Sequence, residues 1–454
     1  MPHVVENRTI DEIGVGETAS TRRTLERGDL RLWSALTGAA GVDEGLVQGH
    51  GVSTWAMSLF ASLIGTTLPG PGSVIRSATS RFLRPITIGE PVVATVTVSE
   101  IHKDAAAVHM DCRCADAAGQ GIVDARIEVD APKTKVRKQR QAHELDELLE
   151  RCKRAKPISA GVVYPCTADA LLGAVEASSQ GLIEPVLFGP EMTIRKIASE
   201  IEADLAKARI VNTPDPEDAA AKAAAAAGAG ELHALMKGSL HTDQFMHAVV
   251  SRENKLRTGR LLSHCMLVAA PTYARRIIIS DAAVNIAPDV DQKKDIIQNA
   301  IILARSIGID VPKVAVLSAV EVVRSKMPST MEAAVLAKMA DRRQIAGGIV
   351  DGPLDLDIAV DADSARIKGV ISPVAGQADI LIAPDIDAGN MMYKELSFVG
   401  SAQAAGLVVG ARVPVILTSR SDSAQTRLFS AALAALFANA TTKDPGLLHP
   451  ATSE

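Results

Sequence analysis

Hydrophobic positions change their period twice along this chain. Residues 91–102, 105–115 and 121–131 are runs rich in Val and Ile, broken by turn signals at Lys103-Asp104 and Gly119-Gln120. They predict an antiparallel meander. Ahead of them, "VSTWAMSLFASLIGTTLPGPG" (52–72) sets Trp55, Leu59 and Leu63 beside Met57, Phe60 and Ile64 at helical spacing and ends in a Pro/Gly cluster. That spacing predicts an almost wholly buried helix. One apolar helix wrapped by an antiparallel sheet is an α+β arrangement. The next stretch, 132–157, is dense in charge with a thin stripe at Leu145, Leu148 and Leu149. It reads as a solvated connecting helix. A nucleic-acid arm is the other reading, but Glu144, Asp146, Glu147 and Glu150 dilute its basic charge.

After 157, strand-like runs alternate with helical ones. "ISAGVVYP", "PVLFGP" and "ARIVNTP" are each followed by a helix. Later come "RRIIISDAAVN", "KVAVLSAV", "LDLDIAV", "ADILIAPD" and "VPVILTSRSD". Runs of this kind suit a parallel sheet covered on both faces, in which ligands gather at the carboxyl ends of the strands. One such end carries "TSRSDSAQTR" (418–427), two arginines and an aspartate among hydroxyls. The expected domains are 1–132, a linker helix at 133–157, a second domain at 158–445 and a tail at 446–454.

Composition narrows the classes. The 454 residues are 47% hydrophobic and 22% charged, enough for two or three domains with sizeable cores. A net charge of −5 and 3% aromatics offer nothing to nucleic acid or to a membrane surface. Cys112 and Cys114 form a single Cys-x-Cys without a second pair, which argues against zinc and for thiols in a reducing cytosol. "MPHVVENRTIDEIG" has no apolar signal region, and no stretch suits a membrane span. The expectation is a cytoplasmic protein. "GHG" (49–51) and "LSHC" (262–265) each carry one histidine without a second ligand at helical spacing, so no metal site is expected. "DLDIAVDADS" (355–364) lacks the glycine and glutamate of a calcium loop, and no phosphate-binding or dinucleotide fingerprint is present. No bound cofactor is expected.

Seven segments then carry a resemblance: "ALMKGSLHTDQFMHAVV" (234–250), "LRTGRLLSHCMLV" (256–268), "SDAAVNIAPD" (280–289), "PKVAVLSAVE" (312–321), "IVDGPLDLDIAV" (349–360), "GQADILIAPDIDAGNMMYK" (376–394) and "VPVILTSRSDS" (413–423). In order and spacing they resemble the phosphate acetyltransferase and phosphate butyryltransferase family over nearly all of 155–440, with wording closer to the butyryl branch. The resemblance implies a two-lobed, isocitrate/isopropylmalate dehydrogenase-like α/β fold with a cleft, and acyl-CoA and inorganic phosphate as substrates.

The chemistry explains the residue types. Coenzyme A presents a thiol of which roughly 3% is ionised at pH 7. The thiolate attacks an acyl phosphate, so the site must take a proton and hold an oxyanion and a phosphate. Arginine matches phosphate oxygens with a planar fork. By resemblance, Ser419 meets the sulfur and Arg420 the oxyanion. Arg257, Arg260 and Thr242 are candidates for a phosphate cradle, with Gly259 letting backbone approach. Asn390 and Tyr393 line the cleft in the resemblance. In acetyltransferase members an acid seven positions after the serine is the general base; here that position is Thr426. Asp422, another group, or phosphate itself then takes the proton. The plainer reading makes Ser421 or Asp422 a helix N-cap between solvent arginines, Arg420 and Arg427.

Residues 12–132 resemble a MaoC-type dehydratase domain, a hot-dog fold, through "LRLWSALTG" (30–38), "GHGVSTWAMSLFASLIGTTLPGPG" (49–72) and "SRFLRPITIGEPV" (80–92). Active members follow "LTG" with Asp-x-Asn-Pro-x-His. This chain reads "LTGAAGVDEGLVQGHG", with Ala39 in the aspartate's place. Asp43, Glu44 and His50 remain at the wrong spacing, and the Gly51 N–H could serve as an oxyanion donor. The expectation is a degenerate hydratase that holds acyl-CoA or builds a homo-oligomer. Two alternatives stay open: a bifunctional enoyl-CoA hydratase/phosphate acetyltransferase, and a non-catalytic acyl-CoA sensor or scaffold.

Overall fold

Alternating sequence becomes alternating burial in the first third of the chain. In the computed structural model, which describes residues 4–26, 29, 53–139, 145–271, 273, 275–417 and 422–448, there are two compact units, Met1–Gln141 and Ala142–Glu454. Unit 1 contains β1 (Val4–Glu6), β2 (Thr18–Thr24), α1 (Thr54–Thr66), β3 (Val74–Phe82), β4 (Pro91–His102), β5 (Ala107–Asp116), β6 (Gly121–Asp130) and β7 (Arg137–Gln139). The meander β4-β5-β6 is flanked by β2 and β3, giving a five-stranded antiparallel sheet in the order β2-β4-β5-β6-β3. Val92, Ala94, Val96 and Val98 of β4 and Val108, Met110, Cys112 and Cys114 of β5 point to one face. There they bury Trp55, Leu59, Phe60, Leu63 and Ile64 of α1 in a single cluster.

The charged stretch 133–157 is not one connecting helix. Arg137–Gln139 pairs antiparallel with β1. Among the described residues of this stretch only α2 (Asp146–Cys152) is helical, and Leu145, Leu148 and Cys152 sink into the core of unit 2. The apolar stripe that reads as thin in sequence is wide enough to dock one short helix.

Unit 2 continues with β8 (Ile158–Val163), α3 (Ala168–Ser179), β9 (Ile183–Gly189), α4 (Glu191–Glu200), β10 (Arg209–Asn212), α5 (Pro216–Gly228), β11 (Ala234–Lys237), α6 (Thr242–Val250), β12 (Ser263–Ala269), β13 (Ile277–Ser280), α7 (Val290–Ser306), β14 (Lys313–Leu317), α8 (Pro328–Asp341), β15 (Ile349–Leu354), α9 (Leu356–Val360), α10 (Ala362–Ile367), β16 (Ile380–Ile382), α11 (Ile386–Lys394), β17 (Gln403–Val409), β18 (Val415–Ile416) and α12 (Ala424–Lys443). Its eleven strands form one sheet, β10-β9-β8-β11-β18-β17-β12-β13-β16-β14-β15. The sheet is mixed, not parallel throughout. Two parallel blocks, β10 to β18 and β13 to β15, are joined by the antiparallel contacts β18/β17, β17/β12 and β12/β13. Parallel neighbours need a crossover of a dozen residues or more. The connections 270–276 and 410–414 are too short for one, so those strands pair antiparallel.

The two faces of this sheet are packed differently. On one face Cys265, Leu267, Leu407 and Val409 join α7 and α12 in a continuous core. The opposite face is divided. Val408 belongs to one cluster and Ala404 to another, although both point to the same side of β17. Between them lies Gly406, and opposite Val408 on β12 stands His264. The two apolar clusters therefore part on this face at a glycine and a histidine.

Candidate active site

The junction gathers polar side chains because strands and a helix end there. His264, 5% exposed, is a polar break in the apolar run of β12. Its carbonyl accepts from Ser280 Oγ at 3.1 Å and from the Ala282 N–H at 3.2 Å, tying it to the end of β13. Asp281, 3% exposed, turns the chain out of β13. Its carboxylate accepts from the N–H groups of Ala283 (2.8 Å) and Val284 (3.0 Å), and from Asn285 through backbone (3.2 Å) and Nδ2 (2.5 Å). Burial holds the His264 ring below its ordinary pKa, an effect that the Asp281 and Asp422 carboxylates oppose.

Helix α11 closes over this turn. Asn390 Nδ2 donates to the Ala282 carbonyl at 2.9 Å, so its amide is engaged with backbone. Gly389 brings α11 against the Asp281 carbonyl; a Cβ there would stand 2.1 Å from that oxygen. One turn on, Tyr393 OH donates to Asp422 Oδ1 at 3.3 Å. Burial raises the Tyr393 pKa, and the Asp422 charge raises it further. The phenol therefore stays a donor at neutral pH.

The cap of α12 is Ser423, whose Oγ accepts from the Thr426 N–H at 3.1 Å, not Ser421 or Asp422. Thr426 is thereby part of the cap, and Asp422 faces Tyr393 instead. Arg427 Nη1 donates to the Asp169 carbonyl at 3.2 Å. Ser419, Arg420 and Ser421 lie outside the described residues, as do Ala39, Asp43, Glu44, His50 and Gly51.

Next to the turn lies a cleft of about 750 Å³, whose lining includes Thr242, Arg257, Gly259, Arg260, Asn285 and Lys294. That size suits a small-molecule ligand. Asn285 joins the cleft to the junction: its Nδ2 donates to Asp281 and, at 2.8 Å, to the Leu262 carbonyl. Gly259 has φ +94°, which a side chain would strain, and it makes the bend between the two arginines. The arginines differ. Arg257 is exposed on the lining. Arg260 donates through Nε to Asn299 Oδ1 (3.2 Å) and through Nη1 to the Leu448 carbonyl (2.7 Å). Burial pushes its pKa down, which Asp295 opposes. Arg260 is thus spent largely on protein acceptors.

His264 and Asp281 were not among the residues the sequence singled out for catalysis. The readable signal was a histidine inside "LSHCMLV", a run otherwise apolar. In unit 1 the sheet also brings Glu100, His102 and His109 within 4.8 Å of one another, with Arg126 Nη2 2.6 Å from the Glu100 carboxylate.

A profile of the family described as phosphate acetyl/butaryl transferase matches residues 216–435. A Rhizobium meliloti protein named phosphate acetyltransferase is 51% identical over 298 residues, which is 66% of this chain and 94% of that protein. A Clostridium beijerinckii phosphate butyryltransferase is 41% identical over 293 residues, 64% of this chain and 97% of its own. A branched-chain phosphotransacylase from Enterococcus faecalis V583 superposes with a TM-score of 0.56 at 30% identity, over 62% of this chain and 99% of that one. Between these two curated relatives, identity is higher to the acetyl-named protein, against the expectation drawn from motif wording. The seven short segments sample only part of the domain, whereas the identity is taken over 298 residues.

Proposed function

The chain belongs to the phosphate acetyl/butyryl transferase family and is an acyltransferase, and on that premise we propose that it interconverts acyl-CoA plus phosphate with acyl phosphate plus coenzyme A by attack of the thiolate on the acyl phosphate. The observation that carries this is the 51% identity spanning 94% of a phosphate acetyltransferase. The geometry supports it: a cleft of about 750 Å³ with an arginine on its wall adjoins a buried cluster of proton-carrying groups. In this reading Arg257 and Thr242 meet the phosphate, and Ser419 and Arg420 meet the sulfur and the oxyanion. Tyr393 and Asp422 border the acyl group. Coenzyme A is a substrate, and no resident cofactor takes part.

Unit 1 is read as a MaoC-like hot-dog domain, supported by its five-stranded antiparallel sheet against one buried helix. With Ala39 where an aspartate would be the base, it has no hydratase activity and binds acyl-CoA or pairs subunits. We place the protein in the cytoplasm as a homo-oligomer; among the described residues no helix is long and apolar enough to cross a membrane.

The test supplies acetyl-, propionyl- and butyryl-CoA with phosphate and follows free coenzyme A. Arg420→Ala and Ser419→Ala serve as controls, and crotonyl-CoA hydration is measured alongside. Phosphate-dependent thiol release lost in both variants, without hydration, is the expected result. Acyl-CoA binding without release at any chain length would replace the transferase reading by a sensor.

A further inference from the structure

Both ring nitrogens of His264 are buried without a hydrogen-bond partner. An unpaired polar group is costly where it is buried, so its presence calls for an explanation. The surroundings are built around the ring. Gly406 lies diagonally across from it on β17, and a Cβ there would stand 3.0 Å from Nε2. A side chain at 406 would close the space beside that nitrogen. The Gly406 N–H is held by Ser430 Oγ at 2.9 Å, and that hydroxyl donates to the Thr426 carbonyl at 2.7 Å. The Leu417 carbonyl approaches the ring but falls outside hydrogen-bond geometry. Among the described residues, the charged groups facing the ring are Asp281 and Asp422, and the Asp422 carboxylate is itself bonded to Tyr393. The ring lies where the two apolar clusters of that face part, beside the turn that joins it to the cleft through Asp281 and Asn285.

We propose that His264 is the catalytic base that accepts the thiol proton of coenzyme A and returns it to the departing phosphate. This rests on the acyl-transfer reading above and answers the question that Thr426 raises, since a threonine cannot serve as that base. The step balances. The S–H bond breaks as an N–H bond forms on the neutral ring, and the sulfur electron pair adds to the acyl carbon. The carbon–oxygen bond to phosphate breaks with its electron pair on oxygen. The ring proton then passes to that oxygen, so hydrogen phosphate leaves and His264 is neutral again. Asp281 and Asp422 stabilise the imidazolium between the two transfers. Asp281 cannot itself replace the ring, because its carboxylate is filled by four donors from the 283–285 turn.

The test compares wild type with His264→Gln and His264→Asn in thioester formation from acetyl phosphate and coenzyme A, across pH 6 to 9. Loss of a general base predicts a fall in kcat of about 100-fold, with KM for coenzyme A changed by less than about three-fold. The variants should regain rate about tenfold per pH unit as the thiol ionises by itself, a profile that a merely structural histidine would not produce. Wild-type rate and pH profile in a folded variant would overturn the inference and leave the transferase reading intact. Inactive wild type would instead sink that reading. Should both variants fail to fold, histidine C2-hydrogen exchange on the wild-type protein, read by mass spectrometry on the peptide carrying His264, decides. A rate that changes when coenzyme A binds supports the role, and one that coenzyme A leaves unchanged overturns it.

Discussion

Gly389→Ala sets helix propensity against packing at the site. In an isolated helix, alanine is favoured over glycine by about 1 kcal/mol. In this fold the new methyl would stand 2.1 Å from the Asp281 carbonyl oxygen and 3.2 Å from Ala383 Cβ, where ordinary contact begins near 3.4 Å. The carbonyl cannot swing aside easily, because the Asp281 carboxylate is pinned by four donors. Helix α11 must therefore withdraw by more than 1 Å, carrying Asn390 off the Ala282 carbonyl and Tyr393 off Asp422. Overpacking of this kind costs about 1–3 kcal/mol, so the net loss of stability is about 0–2 kcal/mol after the propensity gain. A shift of that size at the chemistry lowers kcat by about 100-fold. Gly173→Ala in α3 is the control: its nearest neighbour is the flexible Arg427 side chain at 3.4 Å, so only the propensity gain should appear. Urea unfolding and thioester turnover on both variants decide the matter. If Gly389→Ala is as stable and as active as wild type, or if both variants shift stability in the same direction, the packing argument is wrong.

The two cleft arginines should separate by assay. Arg257→Ala should raise KM for phosphate by about 10- to 100-fold at unchanged stability, whereas Arg260→Ala should lose about 1.5–3 kcal/mol of stability with its bonds to Asn299 and the Leu448 carbonyl. Tyr393→Phe removes the donor to Asp422 at 3.3 Å and should lower kcat about fivefold without changing the melting profile by more than about 1 kcal/mol. Burial pushes the Cys112 thiol up to about 12 and Cys114 to about 11. Unfolded thiols release protons near pH 8.5 while the folded ones keep theirs. The stabilisation is therefore complete below about pH 8.5 and is lost as pH rises towards 11, with a slope of about 2.7 kcal/mol per pH unit for the pair. Denaturant melts of unit 1 within the full chain should show that slope, and Cys112→Ala should halve it.

Many elements were legible in the chain, although "LDLDIAV", read as a strand-like run, leaves β15 at Leu354 and continues as helix α9, and 133–157 is not one helix. The period-two runs of 91–131 became β4, β5 and β6, and the apolar stripe of 52–72 became α1, because burial on one face needs only local alternation. The motif segments also contain Asp422, Tyr393 and Asn390, and the fold brings the Tyr393 hydroxyl to Asp422 and the Asn390 amide to the Ala282 carbonyl. What local pattern could not settle was pairing. An apolar run reads the same whether its neighbour is parallel or antiparallel, so the reversal at β12, β17 and β18 emerged only from the strand order and registers of the folded sheet. Nor could spacing distinguish Arg257 from Arg260, three residues apart, because their difference lies in Asn299 and Leu448, far along the chain. His264 is the clearest case. In sequence it is one polar letter in an apolar strand, and only the registers of β12 and β17 set it beside Gly406, at the place where two apolar clusters part and Asp281 and Asp422 face the same ring.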